Sequence, residues 1–227
     1  MNTVLDVEEQ TSWSGIATRL LPHRRGVMIE ASYALFVVAA ATLALSPVLL
    51  RSGWPLNYGT PAPLLLVQMY AAHFRHLDFF PVWSSTDGDG MGSPVLLFYH
   101  RVFFYIAGAF FAVFGNLKFS VVATTFLFFV VGAYGMRCAL CLVTNRRLFS
   151  IVGSLGFLFT NYVFTDWLDP RGDLAEFSAL MIVPWLLYWC LNLVKNGRVS
   201  FILVPIMFVL VNAHSAIALI SLFCLFI

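Results

Sequence analysis

Between Asp166 and Glu176 the chain reads DWLDPRGDLAE, which sets four carboxylates (Asp166, Asp169, Asp173, Glu176) and Arg171 within eleven residues. Hydrophobic runs long enough to cross a bilayer flank it on both sides. Charge this dense between apolar runs is costly unless it sits in water, at the headgroups or in a protein cavity. Asp173 and Glu176 have N-cap and N3 spacing ahead of the apolar run from Phe177, which is the pattern of a capping box. Capping leaves Asp166, Asp169 and Arg171 unexplained. An arginine beside a helix start at headgroup level suits a phosphate, because its fork pairs two oxygens at once. An ion pair with Asp166 or Asp169 is its alternative use.

A second stretch with chemical content runs from Trp83 to Tyr99, WSSTDGDGMGSPVLLFY. Gly88, Gly90 and Gly92 permit positive φ and close backbone approach. Asp87 and Asp89 between them could bind a divalent cation or act as a general base, or could simply close an Asx/Gly turn. His73 and His76 have i, i+3 spacing beside Asp78, yet no third strong ligand lies nearby in sequence, so no metal site is assigned there. Further on, His214 stands with Asn212 and Ser215 inside an apolar run. An intramembrane polar group of this kind is either a functional residue or an interhelical hydrogen-bond partner.

The elements that position these residues follow from composition. The chain has 227 residues, 60% hydrophobic and 11% charged. Soluble domains carry about 25% charged residues, so these values point to an all-α, polytopic integral membrane protein. The formal net charge of +2 gives no reason to expect nucleic acid as a partner. The N-terminus opens on the acidic, polar MNTVLDVEEQ, unlike a cleavable signal. All four cysteines (Cys138, Cys141, Cys190, Cys224) fall in apolar runs and read as small buried side chains. The chain stops inside the apolar SLFCLFI, as the N-terminal part of a longer protein would.

Charge placement orders the spans. Residues 1–26 form a polar segment ending in Arg19, His23, Arg24 and Arg25, which the positive-inside rule places in the cytoplasm. Residues 27–227 form the transmembrane domain, with about five spans. Ala31 to Leu50 is the first, and residues 51–93 make a long first outer loop. Residues 94–118 are interrupted by His100 and Arg101. Reading them as a juxtamembrane helix leaves Arg146-Arg147 and Lys195/Arg198 on the inside with the first basic cluster. Spans over Phe119–Val143, Leu148–Thr165, Phe177–Val194 and from Phe201 onward complete the layout. It gathers Asp78, Asp87, Asp89, Arg101, Asp166, Asp169, Arg171, Asp173, Glu176 and His214 on the outer face.

The chain also carries, in order, Phe80-Pro81-Val82-Trp83, Gly90-Met91-Gly92-Ser93-Pro94, Phe98-Tyr99, Arg146-Arg147-Leu148-Phe149, Arg171-Gly172-Asp173-Leu174-Ala175-Glu176 and Asn212-Ala213-His214-Ser215. Over residues 71–220 this series resembles the bacterial and archaeal membrane proteins labelled as related to 6-pyruvoyl-tetrahydropterin synthase. These in turn resemble the C-type glycosyltransferase superfamily. Two departures stand out. The Asp and His that the family has early in its first outer loop would fall near Gly59 and Pro63. The two prolines it has after Phe-Tyr are here His100 and Arg101.

The resemblance implies a multispan enzyme of the cytoplasmic (inner) membrane. It would take a sugar from a polyprenyl-phosphate donor and pass it to a cell-envelope glycan or lipid on the outer face. An acidic residue of the first outer loop would deprotonate the acceptor and an arginine would hold the lipid phosphate. On that reading Asp89, Asp87 and Glu176 are the catalytic candidates, with Asp87 or Asp89 standing in for the missing loop acid. Arg171, Asp169, Asp173, His214 and Arg101 are the substrate-binding candidates. Membrane lipid is a further partner, and a divalent cation is the one cofactor such a site could take. The alternative is a non-catalytic membrane component, a lipid-linked-sugar transporter or structural subunit that keeps the fold.

Overall fold

The computed structural model describes residues 13–51, 61–144, 146–163, 173–197 and 200–226. Two compact units divide the chain, residues 1–36 and 37–227. Among the described residues the structure is all-helical, apart from one isolated antiparallel bridge between Ser84 and Ser93. Helix α1 (Trp13–Leu49) accounts for what is described of the first unit and opens the second. It therefore begins well inside the polar segment expected over 1–26.

The second unit continues with α2 (Pro61–Arg75), α3 (Val95–Phe98), α4 (Val102–Phe114), α5 (Leu117–Thr144), α6 (Arg147–Leu158), α7 (Leu174–Asn196), α8 (Leu203–Ala213) and α9 (Ser215–Phe226). Among the described residues, three helical segments are long and apolar enough to cross a membrane: Val27–Leu49, Leu117–Thr144 and Leu174–Asn196. The other two expected spans take a different form. Over 148–165 the helix α6 stops at Leu158, its 12 residues rising about 18 Å, and helix resumes over 161–163, with 164–165 outside the described residues. The run from Phe201 is broken at His214, whose extended backbone (φ −165°, ψ 109°) separates α8 from α9. Residues 94–118 form α3 and the 13-residue α4, each too short for a hydrocarbon core of about 30 Å. Gly115 (φ 66°) ends α4, its N–H returning to the Phe111 carbonyl.

Helices α5 and α7 pack closely and in parallel. Phe129 meets Phe177 edge-on with ring centroids 5.1 Å apart. The indole N–H of Trp185 donates to the Val131 carbonyl at 2.9 Å, and Lys195 Nζ to the Leu142 carbonyl at 3.2 Å. Partner numbers rise together along both helices, so both point the same way. Small residues let the backbones approach. A Cβ on Gly132 would lie 2.5 Å from Met181 Sδ and 3.3 Å from its Cα, and one on Gly135 would lie 2.7 Å from Trp185 Cδ1. This is the small-residue packing of membrane helices, where close van der Waals contact replaces a hydrophobic driving force. Helix α6 returns antiparallel against α5, with Cys141 Sγ 3.1 Å from Ser150 Oγ and Leu140 filling the space a Gly153 Cβ would need.

The parallel pair sorts charge by end. Lys118, Asp173 and Glu176 lie at the shared N-terminal end, while Arg146, Arg147 and Lys195 lie at the shared C-terminal end. The Lys118 ammonium also donates to the Arg51 carbonyl, which brings the chain just after α1 to the N-terminal end of α5. Replacing Gly132 with Leu should therefore destabilise the protein by about 1–3 kcal/mol through overpacking. Gly156→Leu should be near neutral, since nothing lies within 4 Å of where its Cβ would stand. Thermal unfolding of both variants in detergent checks this, and equal effects would contradict a tight α5–α7 contact.

Candidate carboxylate–histidine site

Asp173 is the N-cap of α7. Its Oδ1 accepts the backbone N–H groups of Ala175 at 3.1 Å and Glu176 at 3.0 Å, satisfying two donors that open every helix unpaired. The cap holds Glu176 in the first turn, where the helix dipole favours a negative charge. Glu176 is 5% exposed, and its Oε1 accepts from the Tyr162 hydroxyl at 2.5 Å. His214 arrives from the other side, at the break between α8 and α9. Its N–H donates to the Leu210 carbonyl at 2.9 Å, and its Nδ1 receives the Ile217 N–H at 3.4 Å. One ligand atom from each of Asp173, Glu176 and His214 lies within 4.8 Å of the others. Residues far apart in the chain thus converge on one polar group.

His100, in the extended link between α3 and α4, stacks on His214 with ring centroids 4.3 Å apart and planes 31° apart. The next residue secures the link, since Arg101 N–H donates to the Asn212 carbonyl at 2.9 Å. Burial pushes the His100 imidazole below its usual range; His214 beside it acts the same way and Asp173 opposes both. Burial raises the neighbouring Tyr99 phenol, with Asp173 adding to the shift. The end of α3, the start of α4, the start of α7 and the α8–α9 break therefore surround a single set of polar side chains.

Beside this group lies a cavity of about 530 Å³. Aromatic and aliphatic side chains of α2, α4, α8 and the 79–81 segment line it, among them Tyr70, Phe80, Tyr105 and Phe208; Arg101 and Asn212 supply its polar wall. Arg101 Nη2 donates to the Leu97 carbonyl at 2.9 Å. Burial pushes the Tyr70 phenol up to about 12, with Arg101 acting in the opposite direction. The walls are tied down by Tyr70 Oη donating to the Leu96 carbonyl at 3.2 Å and Tyr105 Oη to the Phe79 carbonyl at 3.1 Å. Gly108 permits the close α2–α4 crossing beneath, since a Cβ there would lie 2.5 Å from Tyr70 Cβ.

The structure thus brings Asp173, Glu176 and His214 together, while Arg101 lines the neighbouring cavity and is tied towards them through its backbone bond to Asn212. Asp169 and Arg171, like Asp166, lie outside the described residues. Asp87 and Asp89 belong to a separate turn. Ser84 and Ser93 exchange backbone hydrogen bonds at 2.8 and 2.9 Å across its neck, and the Ser93 hydroxyl donates to Asp87 Oδ2. Asp89 is exposed and left-handed at φ 56°, between two left-handed glycines. Gly92 (φ +80°) lies under Trp83, whose Nε1 would be 2.4 Å from a Cβ there. Neither aspartate is part of the carboxylate–histidine group. His73 pairs with Asp78 at 2.8 Å. Sequence reasoning missed Tyr162 and gave His100 no role; the only signal for His100 was an imidazole interrupting an apolar run.

Among the described residues these features define an all-helical structure with three helices long and apolar enough to cross a membrane and a carboxylate–histidine group at the N-terminal end of α7. Comparison with protein-family models, with curated proteins and with solved structures finds no match in any of the three.

His100 carries a pH prediction. Its depressed folded-state pKa means the unfolded chain binds the extra proton, so this group stabilises the fold above about pH 6.5 and that stability is lost as pH falls below it. The thermal midpoint should drop between pH 7.5 and pH 5, and His100→Phe, which keeps a ring against His214, should reduce that drop. An unchanged pH dependence in the variant would contradict the assignment.

Proposed function

We propose that this chain is a glycosyltransferase-like membrane protein that moves a sugar from a polyprenyl-phosphate donor to a cell-envelope glycan or lipid on the outer face. The observation that carries the reading is the adjacency of a partly buried carboxylate–histidine group to an apolar, aromatic cavity with an arginine in its wall. A prenyl chain requires the cavity, its phosphate requires a forked cation, and an acceptor hydroxyl requires a base beside both. Glu176 fits the base and Arg101 the phosphate, with Asn212 linking cavity to polar group. In the transfer the acceptor oxygen attacks the anomeric carbon and its proton passes to the base. The bond from that carbon to the phosphate oxygen breaks, and polyprenyl phosphate leaves with the electron pair.

Sidedness supports the same reading. Arg146, Arg147 and Lys195 share one end of α5 and α7, and positive charge favours the cytoplasm. The carboxylate–histidine group then faces the opposite compartment, and the basic cluster Arg19, His23, Arg24 and Arg25 favours a cytoplasmic N-terminus. The resemblance of the motif series to C-type glycosyltransferases agrees with this placement.

Reconstituted protein supplied with a polyprenyl-phosphate sugar should release polyprenyl phosphate. Glu176→Gln should slow that release by at least about 100-fold, the usual worth of a general base, while Arg101→Ala should chiefly raise KM. A wild-type protein that binds the donor without turnover, and tolerates Glu176→Gln, would instead fit the non-catalytic membrane component.

A further inference from the structure

We infer that Asp173, Glu176 and His214 together hold one divalent transition-metal ion. The donors come from two separate elements, two carboxylates from the start of α7 and an imidazole from the one-residue break between α8 and α9. An ion bound at about 2.1 Å by each donor holds its ligands about 3 to 4 Å apart. The separations here, all within 4.8 Å, leave that geometry a small side-chain adjustment away. Two carboxylates this close repel each other, and a shared cation relieves the repulsion.

The donor chemistry selects the ion. Mg²⁺ and Ca²⁺ favour oxygen ligands alone, whereas imidazole with carboxylate suits Zn²⁺ or Mn²⁺. Three protein ligands leave coordination positions open, the pattern of sites where a metal acts on a substrate. The surroundings supply what outer ligands need. Asp173 keeps its Oδ1 on the α7 backbone, leaving Oδ2 to turn towards an ion, and the Tyr162 hydroxyl orients Glu176. His100 packs against one face of His214 and limits its ring rotation. An ion on Nε2 puts the ring proton on Nδ1, so loading gives up the loose 3.4 Å contact from the Ile217 N–H. The three donors would hold the ion whether or not the site transfers sugar.

The test uses the full chain in detergent, stripped with chelator, reloaded with Zn²⁺ or Mn²⁺ and desalted. Elemental analysis should find one ion per chain. Asp173→Asn, which keeps the N-cap, Glu176→Gln and His214→Gln should each weaken binding at least tenfold, while circular dichroism and gel filtration remain those of the wild type. Electron spin-echo modulation of the Mn²⁺ form should show one coordinated imidazole nitrogen, absent in His214→Gln. The inference is overturned if no stoichiometric ion is retained, if the three variants bind as the wild type does, or if His73→Ala removes the ion instead. Binding is read without substrate, so its failure is distinct from a failure of donor turnover.

Discussion

The parallel approach of α5 and α7 is the constraint on which the rest of this structure depends. Gly132 and Gly135 leave room for Met181 and Trp185, and the Trp185 indole reaches across to a backbone carbonyl. Two parallel helices in sequence need a return connection, and α6 supplies its start. The arrangement has one consequence of weight for function. It sends the acidic start of α7 and the basic ends of both helices to opposite ends of the pair, so the charge asymmetry of the chain becomes a spatial asymmetry.

The start of α7 then acts as the fixed half of a site. Asp173 caps the helix, and the cap places Glu176 in the first turn, buried, with the dipole in its favour. The other half comes from an interruption. An unbroken helix through residues 203–226 would have carried His214 past as one more side chain on a helical surface. The single extended residue turns its backbone and ring to the α7 start instead. Irregular backbone at membrane depth persists only where protein or a water-lined cavity satisfies its polar groups. Here Leu210, Ile217 and the Arg101–Asn212 bond do so.

Much of this was legible in the sequence. The two long apolar helices over 117–144 and 174–196 followed from apolar length, and the Asp173 cap followed from spacing. Burial and convergence were harder to read. Nothing in the one-dimensional pattern shows that His100 stacks on His214, because the contact depends on a helix break that apolar periodicity conceals. The D-G-D-G string drew attention because aspartates near glycines are chemically versatile. Its geometry is that of a closed turn in which Asp87 binds Ser93, while Asp89 stands exposed. Within the span expected over 148–165, Phe159 and Thr160 interrupt the helix, which resumes over 161–163; residues 164–165 lie outside the described residues.

On the proposed reading, the Gly-rich turn and the carboxylate–histidine group share the end of the helices opposite Arg146 and Arg147, on the outer side of the membrane. A variant with its four cysteines replaced, carrying a single new cysteine in place of Gly90 or of Arg146, tests this directly in intact cells with a membrane-impermeant thiol reagent. The first position should label from outside, and the second only after permeabilisation. Labelling of the second position in intact cells, or of both from one side, would contradict the account.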